Sequence, residues 1–120
     1  MIQPSEVFAF EAFEQNGETT SADWSVPVDC PYLEGHFPGL PLMPAVGMLD
    51  GSLELIRLSG VALPASMLSL KKAKFTGKVE PGMRVRVTLV HRENRFDVDW
   101  RKHGTLELLA SFSFRAPSPG

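Results

Sequence analysis

Apolar and polar residues alternate with period two through most of the chain, and follow helical spacing in one stretch near its middle. Trp24, Val26 and Val28 alternate with Asp23 and Ser25, and Val85, Val87 and Leu89 with Arg84, Arg86 and Thr88. Phe96, Val98 and Trp100 alternate with Arg95, Asp97, Asp99 and Arg101. Leu106, Leu108, Ala110, Phe112 and Phe114 alternate with Thr105, Glu107, Ser111 and Ser113. Such alternation marks strands with one face in a core and one in water. Val7 to Phe13 and Thr19 to Val28 read as two strands joined at Asn16-Gly17, with Pro27 placing the second near an edge or a bulge. Four more strands are expected after Met67, two of them meeting at a Glu93-Asn94 hairpin. In between, Val46, Leu49, Leu53 and Ile56 predict a helix from Pro44 to about Ser59 with those four as its buried stripe. Pro44 suits a first turn, and Gly60 and Pro64 suit a stop. The pattern predicts an α+β domain in which one long helix covers the apolar face of an antiparallel sheet.

Gly47 and Gly51 lie inside that helix, each at a cost of about 1 kcal/mol relative to alanine. They share a face. Either the helix packs tightly on the sheet there, or the face leaves room for a substrate chain or a second subunit.

The 120 residues suffice for one domain, expected over 1–116, with a breaker-rich tail over 117–120 expected to be disordered. A net charge of -2 gives no reason to expect nucleic acid or an anionic membrane. Cys30 is the only cysteine, so no internal disulfide forms, and with three scattered histidines no metal site is expected. No apolar run reaches the roughly 18 residues of a membrane span, and the first residues lack the pattern of a secretory signal. A cytoplasmic protein is expected.

Candidate chemistry sits between Tyr32 and Asp50. His36 lies in a loop stiffened by Pro38, Pro41 and Pro44, a rigid mount for a reactive side chain. Asp50 falls in the second turn of the helix beside the apolar stripe, too far along to cap it, and a carboxylate there needs a partner or a task. His91 and His103 read as solvated. Cys30 has no base near it in sequence to make it a nucleophile. Lys71, Lys72, Lys74 and Lys78 form a basic cluster: a solvated strand face, or a weak docking site for an anionic partner.

The run Gly35-His36-Phe37-Pro38-Gly39-x-Pro41-x-Met43-Pro44, with an acidic residue at Asp50, resembles the signature of the FabA/FabZ family of 3-hydroxyacyl-[acyl carrier protein] dehydratases. Val79-Glu80-Pro81-Gly82 is similar to the same family's Val-x-Pro-Gly strand end, and Leu49-Asp50 resembles the short aryl-polyene-type dehydratases. The resemblance implies a hotdog fold, with the sheet wrapped around the helix, and a homodimer or larger assembly of dimers with a sheet continuous across subunits. It implies no cofactor, and a catalytic pair, His36 and Asp50, meeting from opposite subunits. The substrate would be an acyl thioester on acyl carrier protein or CoA, held near Phe37, Pro38, Met43, Gly47 and Leu53. The N–H groups of Ala45 and Val46, at the positive end of the helix dipole, suit the thioester oxygen. Three positions depart from the family: Ala45 stands for the usual Gly, Met83 for a common Asp, and Gly51-Ser52-Leu53-Glu54 for Ala-Met-x-Gln. Two other readings stand beside dehydration. One is a hotdog thioesterase, which has no need of the histidine loop. The other is a non-catalytic acyl-binding subunit.

Overall fold

The computed structural model describes residues 3–33, 43–61 and 65–117. A short helix α1 (Pro4–Val7) is followed by strands β1 (Glu11–Asn16) and β2 (Thr19–Ser25), then helix α2 (Ala45–Leu58). Four strands complete the chain: β3 (Ser69–Phe75), β4 (Arg84–Arg92), β5 (Arg95–Lys102) and β6 (Leu108–Arg115). They form one six-stranded sheet in the order β1-β2-β4-β5-β6-β3, with every neighbouring pair antiparallel. The α+β expectation stands.

Period two decides the core. Val85, Val87 and Leu89 of β4, Phe96, Val98 and Trp100 of β5, and Phe112 and Phe114 of β6 are all buried on the face that α2 covers. The opposite face carries polar rows, including Asp23 against Arg86 and Asp97 against Ser113. Glu93, at φ +57°, turns the β4–β5 hairpin where expected. No helix among the described residues is long and apolar enough to cross a membrane.

Four local expectations are corrected. Val7 closes α1 rather than opening a strand, because Pro4 starts a turn that the Trp24 indole N–H pins by donating to the Val7 carbonyl at 3.0 Å. β2 ends at Ser25, so Pro27 lies beyond it, and β2 is an interior strand between β1 and β4. Leu106 is 89% exposed in the loop before β6, and Leu109 is buried in place of Leu108. The cause is a bulge: Trp100 pairs with Ala110 but Arg101 with Leu108, leaving Leu109 as the extra residue. Its carbonyl accepts from the N–H groups of both Thr76 and Gly77, which anchors the exit of β3.

The fourth correction is the helix face. Val46 is 57% exposed and Leu49 and Leu53 are only partly buried, whereas Gly47, Met48, Gly51, Ser52, Leu55 and Ile56 turn inward. Small residues face the sheet because Trp100, Phe8 and Tyr32 already fill the space beneath the helix. A Cβ on Gly51 would lie 2.7 Å from Phe8 Cε1, and one on Gly47 would lie 2.7 Å from Met43 Cε. Of the two readings of these glycines, close packing within the chain is the one observed.

Candidate active site

Asp50 sits in the second turn of α2, partly buried, and its Oδ2 accepts a hydrogen bond of 2.6 Å from the Tyr32 hydroxyl. Its other oxygen, Oδ1, has no partner among the described residues. Glu54 lies one turn further on, on the same side of the helix, and is only 6% exposed. Both of its oxygens accept from Arg57, at 2.7 and 2.8 Å. Glu54 is thus paired along its own helix, while Asp50 Oδ1 has no partner among the described residues.

Tyr32 was not singled out by sequence reasoning. The available signal was the demand of a half-buried acid for a donor, and the only tyrosine of the chain lies just ahead of the histidine loop. It occupies a 3-10 turn, Pro31–Leu33, where its ring packs 5.7 Å from that of Phe8. Burial, and then the hydrogen bond and negative charge of Asp50, push its phenol well above the ordinary range, so it is held as a donor.

The start of α2 presents free donors. The N–H groups of Gly47 and Met48 both return to the Pro44 carbonyl, at 3.0 and 3.2 Å, whereas those of Ala45 and Val46 have no acceptor among the described residues. Ala45 and Val46 are both exposed, so a ligand oxygen can reach this positive end of the helix. Met43 is buried against Gly47, its N–H donating to the Val79 carbonyl at 2.8 Å, and Leu53 is partly buried. His36, Phe37 and Pro38 lie outside the described residues.

The remaining candidates fall elsewhere. Lys71, Lys72, Lys74 and Lys78 are exposed, and none is in an ion pair among the described residues. Lys72 and Lys74 face the polar side of the sheet, opposite Ser113 and Ser111, while Lys71 falls in the register slip of β3. His91 is not simply solvated: its ring stacks on Phe96 with centroids 4.0 Å apart. His103 approaches Asp23 at 3.3 Å. Cys30 is buried, and burial raises its thiol above the usual value, the setting of an inert cysteine.

The chain is similar to known proteins. Among curated relatives, the 3-hydroxyacyl-[acyl-carrier-protein] dehydratase FabZ of Sorangium cellulosum is 35% identical over 107 residues, covering 72% of this chain and 67% of its own. That of Chlamydia trachomatis serovar L2 is 33% identical over 82 residues, covering 59% of this chain and 52% of its own. The chain spans about half the length of most of the curated relatives it matches. Among solved structures, a chain of the dehydratase heterocomplex ApeI:P from Xenorhabdus doucetiae superposes with a TM-score of 0.74 at 17% identity, over 90% of this chain and 96% of that one. The PpsC dehydratase domain of Mycobacterium tuberculosis, solved with C12:1-CoA, gives 0.75 at 14% identity, over 92% of this chain and 44% of that one. These likenesses establish the hotdog fold. The ApeI-like family model, described as ApeI dehydratase, matches residues 12–111. With a match that spans the central helix and reaches into all six strands, the chain belongs to the ApeI-like dehydratase family.

Proposed function

We propose that this protein removes water from a 3-hydroxyacyl thioester, carried on acyl carrier protein or CoA, to give the trans-2-enoyl thioester. The observation that carries the reading is Asp50: a half-buried carboxylate in the second turn of the central helix, fixed through one oxygen and with no partner at the other among the described residues. Family membership and the FabZ relatives support the same chemistry.

The α-hydrogen of a thioester is weakly acidic, so its removal needs a placed base and a stabilised enolate oxygen. His36, as a neutral imidazole, takes that hydrogen near neutral pH. The N–H groups of Ala45 and Val46 hold the carbonyl oxygen. Asp50 delivers a proton to the departing hydroxyl, which leaves as water. Phe37, Pro38 and Leu53 line the acyl path, and Met43 and Gly47 form the wall behind it. Catalysis needs no cofactor in this scheme.

His36 and Asp50 act from opposite subunits of a homodimer. Support comes from β3, an edge strand whose seven residues are all exposed in the single chain, Leu70 by 45% and Phe75 by 48% on the core-facing side. An unpaired apolar edge calls for cover. One solved relative comes from a dehydratase heterocomplex, so light scattering on the purified chain is the check on whether it pairs with itself. Lys72 and Lys74, with Lys71 and Lys78 nearby, offer positive charge to an acidic carrier.

The test is enoyl-thioester absorbance with the wild type, His36→Ala and Asp50→Asn. Dehydration by the wild type and loss of at least a hundredfold in each variant are expected. Near wild-type rates in both variants would remove the assignment. Free thiol released in place of the enoyl chromophore would mean hydrolysis.

A further inference from the structure

The Tyr32 ring is placed from three sides. Pro31 starts the 3-10 turn that carries it, Phe8 packs against its face, and Gly47 gives it a notch in the helix. A Cβ on Gly47 would lie only 3.1 Å from Tyr32 Cγ. Gly47 and Asp50 are three residues apart and share a side of α2. The glycine therefore opens the space through which the phenol reaches the carboxylate. A phenylalanine would fill this volume equally well, and a buried hydroxyl is costly unless bonded. Among the described residues the hydroxyl has one partner, Asp50 Oδ2 at 2.6 Å.

We infer that Tyr32 is a positioning residue for Asp50, fixing the carboxylate rotamer and occupying Oδ2 so that Oδ1 is the oxygen that meets the substrate hydroxyl. The inference rests on the reading of Asp50 as the acid. An aspartate on a helix samples several staggered rotamers unless something holds it. Displacing a catalytic group by about 1 Å can cost on the order of a hundredfold in rate. Tyr32 keeps its own proton throughout. The α-hydrogen passes to the base, the C–O bond breaks as the double bond forms, and the proton on Oδ1 leaves with the hydroxyl as water.

The experiment compares the wild type, Tyr32→Phe, Asp50→Asn and the double variant, with thermal unfolding of each as a folding control. Tyr32→Phe should stay cooperatively folded at the assay temperature and hold KM within about twofold, while kcat falls roughly ten- to a hundredfold. In the Asp50→Asn background the same change should have no further effect on the residual rate. An equal loss in both backgrounds would mean the ring serves only the fold, and would overturn the inference. So would wild-type kcat in Tyr32→Phe beside a crippled Asp50→Asn, which leaves the acid assignment intact. A fully active Asp50→Asn would sink both.

Discussion

Gly51 of the central helix lies directly over the indole of Trp100, so closely that a Cβ would stand 2.8 Å from Trp100 Cη2 and 2.7 Å from Phe8 Cε1. The Trp100 N–H donates to Ser52 Oγ at 2.9 Å, and that hydroxyl in turn donates to the Met48 carbonyl at 2.8 Å. Helix and strand are thus locked by contact and by hydrogen bond at one point. Gly51→Ala should destabilise the protein even though alanine favours helix by about 1 kcal/mol. Neither ring is a flexible tail that can swing aside, so overpacking of about 1–3 kcal/mol opposes that gain. A net loss of up to about 2 kcal/mol in urea unfolding is expected. Equal or greater stability in the variant would show that the rings can yield.

The same site shows where sequence reasoning reaches and where it stops. Alternation on β4, β5 and β6 identified nearly every buried side chain there, because the face of a strand depends only on residue parity. Of the four stripe residues only Ile56 is fully buried, because the stripe was sought among large apolar residues. Met43 and Tyr32 crowd Gly47, and Phe8 and Trp100 crowd Gly51, so these two inward positions had to be small, while Met48, Leu55 and Ile56 turn inward beside them. Leu109 was missed because a bulge resets parity in the middle of a strand, and nothing local announces it. Asp50 was legible as an acid lacking an obvious partner. Tyr32 was not, since its contact spans 18 residues and depends on the notch at Gly47.

Tyr32 can be followed alone, because the chain has no other tyrosine. Burial first, and the adjacent Asp50 second, hold its phenol protonated well above the ordinary value of about 10. The stabilisation tied to this group is complete below about pH 10 and drains away as pH rises toward the raised native value, because the unfolded phenol ionises first. Ultraviolet difference titration should therefore find the native phenol silent past pH 10. Asp50→Asn, which removes the negative charge, should bring its ionisation to lower pH. A wild-type midpoint at the ordinary value would contradict the buried pair.

Asp23 makes the opposite case on the polar face. It is 4% exposed and meets Arg86 at 2.7 Å, Arg84 at 3.2 Å and His103 at 3.3 Å. Burial alone would raise its carboxyl, but the Arg86 hydrogen bond and charge, with His103 and Arg84, outweigh that and hold it below the usual range. Its contribution is present above about pH 4, the unfolded value, and is lost as pH falls through the lower native value. Asp23→Asn should cost about 1–3 kcal/mol at neutral pH. The gap to wild type should narrow in urea titrations run below pH 4. A gap of constant size across that range would rule out the ion pairs as its source.

Lys72 and Lys74 offer a test of carrier recognition apart from catalysis. Both are exposed on the polar face of β3, paired in register with Ser113 and Ser111, so replacing them disturbs neither core nor ladder. Neither is in an ion pair among the described residues, so their charge is available to a partner. Exposed charges of this kind act mainly on encounter with an oppositely charged surface, and salt screens them. The variant carrying Lys72→Glu and Lys74→Glu should unfold within about 0.5 kcal/mol of wild type, as surface changes do. With an acyl carrier protein substrate its KM should rise several-fold at low salt, and the difference should shrink as salt is added. With a short, uncharged thioester analogue the two proteins should be equal. An equal rise in KM for both substrates would place the effect in the active site and remove these lysines from carrier docking.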